Sequence, residues 1–199
     1  MNNGKRWDHN LIYDLIEANS SVLDLGCGNG ELLAKLINKK AINGQAVEAN
    51  PDYVAEAVSN GVAVYQKNLD LGLAEFKNKS YDYVILEKTL QQLQRPLLVL
   101  KEILRIGNKI IVSFPNFNYK GIIGQLLQTG RMPVISSLPY KWHNTPNIHL
   151  FTLADFMDWA GENDVEINKG YAAENSEVRP LKMPEDNTEA EELLFVLKS

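Results

Sequence analysis

Only one cysteine, Cys27, occurs in the 199 residues, and histidine is nearly as scarce, with three. A lone thiol excludes an intramolecular disulfide and any all-cysteine metal site, so no metal centre is expected and a reducing, cytoplasmic setting fits. Long apolar runs are missing: nothing approaches the ~20 residues that span a bilayer. The opening MNNGKRWDHNL lacks the apolar core of a signal peptide, and no membrane association is expected. Basic blocks are missing too. The formal net charge is -5, and the nearest clusters, Lys39-Lys40 and Lys77 with Lys79, are short and interrupted, which argues against nucleic acid as the main partner.

What is present is core-forming material. The hydrophobic share is 45%, enough to bury a real core, and the length suits one domain over residues 1–199. The hydrophobic period switches back and forth between strand-like and helix-like, the pattern of an α/β layered fold. Leu11, Ile12, Leu15 and Ile16 predict an amphipathic opening helix, and Ser21 to Leu25 a strand ending in a glycine-rich turn. Leu32, Leu33, Leu36 and Ile37 mark the next helix; strands follow at 45–47, 62–65, 81–86 and 109–114. Pro51 and Pro96 sit where helices start. Thr152 is the expected N-cap of a helix through Asn163, with Asp155 at the reciprocal capping position. Two last strands are expected near 166–171 and 193–197. Residues 115–150 carry no clean period and are too long for a bare connection, so a lid or an interface is expected there. Residues 172–190, acidic and proline-containing, read as an exposed loop.

The segment VLDLGCGNG is the strongest local signal, with strand residues before Gly26, Gly28 and Gly30 and a helix after them. Glycine serves where the backbone turns sharply and a ligand must approach it closely. The helix that follows offers unpaired N–H groups and a positive dipole end. An acidic residue, Glu48, ends the next strand, where a carboxylate can accept from both hydroxyls of a ribose. The dinucleotide fingerprint wants its third glycine at position 31, but Glu31 stands there. A negative side chain at the helix start repels a pyrophosphate and tolerates a zwitterionic methionine tail beside a sulfonium. S-adenosylmethionine, or its product S-adenosylhomocysteine, is therefore expected over NAD. The expected contacts are Asp24, Gly26, Cys27, Gly28, Glu48, Ala49, Asn68, Leu69 and Glu87, with Asn68-Leu69 at the adenine edge.

VLDLGCGNG, Glu48 and YDYVIL resemble the class I methyltransferases. LEKTLQQLQRPLLVL, IIVSFPNF, TGRMPV and LPYKWHNTPNIHLFT together resemble the MetW family of methionine-biosynthesis proteins, from Trp7 to about residue 165. The resemblance implies a Rossmann-like class I methyltransferase fold: a seven-stranded, mostly parallel sheet with helices on both faces and an antiparallel last strand. It also implies a partner, homoserine O-acyltransferase (acetyl- or succinyltransferase), which this chain would activate or stabilise. Some positions depart from the family's pattern: Asn29 and Asn68 stand where acidic residues are usual, and Ala49-Asn50 where Ile-Asp or similar is.

The alternative is an active S-adenosylmethionine-dependent methyltransferase on a small-molecule acceptor. Methyl transfer is chiefly a matter of proximity and orientation, with a base needed only if the acceptor must lose a proton. His149 and Glu87 are the candidates, with His143 behind them; a buried structural role is the competing reading for His149. Trp142, Tyr140, Tyr119, Phe117 and Phe114 either line an acceptor pocket, anchor an interface with Arg131, or pack the core. EKTL stands where amino-methylating enzymes place an NPPY-type signature, which leaves O-methylation of a small molecule open.

Overall fold

The computed structural model describes residues 6–198. Its elements run α1 (Trp7–Leu15), β1 (Ser21–Leu25), α2 (Glu31–Lys40), β2 (Asn43–Glu48), α3 (Pro51–Ser59), β3 (Ala63–Gln66), β4 (Tyr81–Glu87), α4 (Pro96–Ile106) and β5 (Gly107–Pro115). Then follow α5 (Lys120–Thr129), α6 (Leu153–Glu162), β6 (Glu166–Glu174), β7 (Glu177–Pro180), α7 (Asp186–Glu189) and β8 (Glu192–Lys198). The starts are set locally. Asn50 accepts from the Asp52 N–H ahead of Pro51, and Thr152 and Asp155 close the reciprocal cap expected for α6.

The sheet order is β3-β2-β1-β4-β5-β8-β6-β7. β1 to β5 pair in parallel, and β8 enters antiparallel between β5 and β6. The sheet has eight strands rather than the seven expected. The extra one is β7, inside the segment read as a loop. Asn175 and Ser176 both take positive φ, 51° and 68°, and so close a tight hairpin between β6 and β7. Two successive left-handed residues match the twist of the flanking strands, and acidic composition hides that turn from a hydrophobic pattern.

Strand residues alternate between two cores. Leu23, Leu25, Val84, Leu86, Val112 and Phe195 face α4 and α6, with Val99, Ile103, Leu153 and Phe156 across from them. Val22, Tyr83, Ile85, Leu194 and Val196 face the other way, onto Trp7, Ile12 and Ile16 of the first helical segment and Leu32, Leu33 and Leu36 of α2. The strand order reverses between β1 and β4, where the crossovers leave toward opposite ends of the sheet. Ligands of open α/β sheets bind at such a point, beyond the carboxyl ends of the strands.

Residues 115–150 are not irregular throughout, because α5 occupies 120–129. Its Ile122 is buried while Leu127 is 81% exposed. Buried Asn116 ties the end of β5 to its surroundings: its amide donates to the carbonyls of Asp186, Asn187 and Ala190, and its oxygen accepts from the Leu153 N–H at 3.2 Å. Among the described residues no helix is long and apolar enough to cross a membrane.

Candidate functional site

A cleft of about 830 Å³ opens at the β1/β4 reversal. One half of it is made by three loops that follow parallel strands. After β1, Gly26 and Gly28 take φ of +77° and +54°. A Cβ on Gly26 would fall 2.5 Å from Thr89 Oγ1, whereas one on Gly28 would meet nothing within 4 Å. Gly26 is thus required by close packing, and Gly28 leaves its backbone bare toward the cleft. After β2, Glu48 is clasped by the main chain. Its Oε2 accepts from the Gly28 N–H at 3.0 Å, and its Oε1 accepts from the N–H groups of Ala49 and Asn50, both at 2.8 Å. After β3, Asn68 Oδ1 caps the turn of Leu69–Leu71 by accepting from the Asp70 N–H at 2.9 Å, and Asp70 in turn accepts from the Arg95 N–H at 2.8 Å. The oxygen expected to face an adenine amino group is therefore already engaged, and the amide nitrogen of Asn68 is the group left for the cleft.

The other half lies under the start of α1. Four carboxylates reach the cleft as a whole because of strand alternation. Glu48 shares a face with Ala46, Asp24 with Val22, and Glu87 with Ile85, and β8 brings Glu192 on the face of Leu194. Because β8 runs antiparallel, its first residue stands beside the last residues of β5, at the same edge of the sheet.

Three of these acids have cationic or aromatic partners or main-chain donors. Arg6 Nη2 donates to Glu87 Oε1 at 2.5 Å, and His9 Nε2 lies 3.1 Å from Glu87 Oε2. Lys88 Nζ bridges Asp8 at 3.0 Å and Glu192 at 2.7 Å, and the Trp7 indole N–H donates to Glu192. Asp8 is fully buried. Burial alone would raise its pKa, but the network through Glu87, Lys88 and Arg6 outweighs that and holds it well below the usual carboxylate range. Lys88 is likewise held above the ordinary lysine value: burial acts to lower it, and Glu192 and Asp8 more than compensate.

Asp24 differs from its neighbours. It is only 3% exposed, lines the cleft, and accepts no hydrogen bond among the described residues. Burial, and then the charges of Glu87 and Glu48, push its pKa up to about 8. Burial also pushes the Cys27 thiol up, with Asp24 and Glu48 adding to it, so the one cysteine is not an activated nucleophile.

All the residues expected at the cofactor site, Asp24, Gly26, Cys27, Gly28, Glu48, Ala49, Asn68, Leu69 and Glu87, line this one cleft. The other candidate for catalysis, His149, does not. His149 is exposed and borders a separate apolar cavity of about 180 Å³ with Leu97, Leu100, Phe151 and Trp159, so it is neither a buried core histidine nor near the carboxylates. Its N–H and that of Ile148 donate to the carbonyl of Gln91, which turns the chain away from the cleft. His143 is exposed against the edge of Trp142. Of the five aromatic residues, Tyr140 alone lines the cleft, Phe114 is core, Tyr119 hydroxyl donates to Glu174, and Trp142 is 78% exposed.

Sequence reasoning missed Arg6, His9 and Gln91. One signal was available: Asp8 and His9 precede Ile12 by four and three positions, so polar side chains stand on the buried stripe of the first helix. Asp8, His9 and Glu87 each offer a ligand atom within 4.8 Å of the others, a spacing found in metal sites. Here the two carboxylates are already committed to Arg6 and Lys88, so the group reads as an ion-pair network.

A family model described as methionine biosynthesis protein MetW matches residues 6–197. The chain belongs to the MetW family. The bifunctional methionine biosynthesis protein MetXA/MetW of Rhodopirellula baltica is 37% identical over 171 residues, covering 81% of this chain. The chain spans only 27% of that relative's length. Among solved structures, a possible histamine N-methyltransferase from Thermotoga maritima superposes with a TM-score of 0.69 at 18% identity, over 96% of this chain and 87% of that one. A TehB-like S-adenosylmethionine-dependent methyltransferase from Corynebacterium glutamicum gives 0.65 at 15% identity, over 99% and 89%. The cyclase SpnF gives 0.71 at 12% identity, over 100% and 84%. These likenesses establish the methyltransferase-like fold of the MetW chain, and the cyclase among them is a reminder that the fold hosts more than one chemistry.

Proposed function

We propose that this MetW-family chain binds S-adenosylmethionine in the cleft and acts in methionine biosynthesis as a partner that activates homoserine O-acyltransferase. The observation that carries the ligand reading is Asp24: a carboxyl group 3% exposed, with no hydrogen-bond partner among the described residues and lining the cleft, is a place for a ligand's polar or cationic group. The rest of the cleft fits the molecule. Gly28 leaves main chain bare where a methionine tail can approach, Glu48 retains acceptor capacity for a ribose, and Leu69 with Ala49 offers apolar surface beside the amide of Asn68. Bound there, S-adenosylmethionine would supply an electrophilic methyl group and a ligand whose level follows the output of the pathway.

The partner reading is supported by the relative whose name joins MetXA and MetW in one protein, of which this chain matches about a quarter (27%). The segment 115–150 is the proposed contact, since it folds Ser136, Ser137, Tyr140 and Asn147 over the cleft and exposes Leu127, Met132, Val134 and Trp142 outward. Ligand binding then biases that contact, and linkage requires the partner to change ligand affinity by the same factor. A cytoplasmic setting belongs to the same reading.

The deciding assay measures homoserine O-acyltransferase with and without this chain, and again with S-adenosylmethionine. A rise in acyl transfer that the ligand modulates is expected; an unchanged rate with both proteins folded removes the partner role. For the ligand, calorimetry with Glu48→Ala should show binding lost, and wild-type affinity in that variant would remove the ribose assignment. A second reading, active methyl transfer, is favoured by the His9–Glu87 pair among the residues lining the cleft.

A further inference from the structure

Asp24 lies between two strands that give its side chain nothing to bond with. Its register partners are Ala46 of β2 and Ile85 of β4, both part of the core under α1. The residue is 3% exposed and lines the cleft, and no hydrogen bond reaches its carboxyl group from any described residue.

The cations of the cleft are committed elsewhere. Of the lysine and arginine residues that line it, Arg6 pairs with Asp8 and Glu87, Lys88 with Asp8 and Glu192, and Lys67 with Glu75. The nearby acids are answered too. Glu48 accepts from three main-chain N–H groups, Glu87 lies between Arg6 and His9, and Glu192 holds Trp7 and Lys88. Cys27, on the loop that follows Asp24, keeps its thiol proton and adds no positive charge. A buried carboxylate beside two other negative charges is costly, and the group avoids that cost by holding its proton. Burial, then the charges of Glu87 and Glu48, accordingly push the pKa of Asp24 up to about 8. With no cation beside it, Asp24 is a neutral acid at pH 7.

We propose that Asp24 exchanges its proton for a positive charge on the ligand, which makes the cleft selective for a cation and its affinity dependent on pH. The inference rests on the ligand reading above and adds the part that Asp24 plays in it. In the step the carboxyl O–H bond breaks, its electron pair stays on oxygen, and the proton leaves to solvent as the ligand's cation settles beside the carboxylate. S-adenosylmethionine brings two such charges, a sulfonium and an ammonium, and the exchange is the same for either. A neutral ligand has nothing to set against the carboxylate, so the proton stays on Asp24.

The test is calorimetry of the full chain at pH 7 in Pipes, Hepes and Tris, whose different heats of ionisation turn the observed enthalpies into a count of protons. S-adenosylmethionine should release about one proton. Its affinity should fall about tenfold from pH 7 to pH 6, a range in which its own amine is already charged. 5′-Methylthioadenosine, which carries neither charge, should release none. S-adenosylhomocysteine keeps only the ammonium, so release with it assigns that group to Asp24, and release confined to S-adenosylmethionine assigns the sulfonium; both support the exchange. Asp24→Asn, alike in shape and unable to ionise, should abolish the release. Binding of S-adenosylmethionine without a released proton overturns the exchange and leaves the ligand reading standing. Equal release with 5′-methylthioadenosine, or release that survives Asp24→Asn, overturns it as well. The unaltered chain decides the matter even if the variant fails to fold. A wild type that does not bind S-adenosylmethionine at all removes the ligand reading, and the exchange with it.

Discussion

The two halves of the cleft are built by opposite means. The half after β1, β2 and β3 is made of backbone: left-handed glycines, a carboxylate clasped by three N–H groups, and an asparagine cap, each contact spanning a few residues or one neighbouring loop. The half under α1 is made of side chains brought from far apart in the chain, with Arg6 and His9 meeting Glu87, and Trp7 meeting Glu192. A backbone site is specified by φ angles and tolerates little substitution. A side-chain site is held by mutual neutralisation, so its weakness is any change that leaves one charge alone in a buried place.

Gly26→Val should do the greatest damage to the first half. It combines a left-handed φ of +77° with a Cβ that would lie 2.5 Å from Thr89 Oγ1, and a loss of about 3 kcal/mol or more is expected in denaturant unfolding. A variant as stable as the parent would mean that the loop has another conformation open to it. Asp8→Ala should come next, because it leaves Lys88 with only Glu192 and strips Arg6 of one partner. The expected loss is about 2–3 kcal/mol, below the figure for fully buried pairs since Arg6 and Lys88 keep some solvent. Its sign with pH follows from a folded pKa depressed below the unfolded value: the stabilisation is present above about pH 4 and lost as pH falls toward the folded value. A parent and variant that differ equally at pH 7 and pH 2 would contradict the ion-pair account.

Asp24 should behave in the reverse way. With its pKa up to about 8, the folded chain keeps a proton that the unfolded chain releases above about pH 4, so stability falls as pH rises across that window and levels off above pH 8. The slope is at most about 1.4 kcal/mol per pH unit. Asp24→Asn should remove that slope; a slope that persists would locate the proton elsewhere. Leu127→Ser should be the mildest change. With the side chain 81% exposed, stability should move by less than about 0.5 kcal/mol, and the loss, if 115–150 is the contact, should appear only in activation of the acyltransferase.

The first half of the cleft was legible in the chain because its chemistry is local. VLDLGCGNG followed by a helical period, with Glu48 at the next strand end, carries its own geometry, and Pro51, Pro96 and Thr152 mark the helix starts directly. Legibility failed where long-range packing or turn chemistry decided. Asn175-Ser176 makes a hairpin that composition disguises as a loop. His149 reads as a site residue because 115–150 is expected to fold over the methyl end, yet its N–H is held by the Gln91 carbonyl and the residue borders the separate apolar cavity. His9 drew no attention, since an opening helix rarely announces what it will cover.

By itself, then, the amino-acid order determined the α/β alternation, the glycine turn and the acid at the end of β2, because each follows from backbone conformations and spacings of a few residues. Only the tertiary structure decided which acids meet. Asp24, Glu48, Glu87 and Glu192 share one face at one edge because strands alternate with period two and β8 is inserted antiparallel beside β5. Nothing in the local order of residues states that register, and it is the register that leaves Asp24 buried with no hydrogen-bond partner among the described residues and gives His9 its carboxylate.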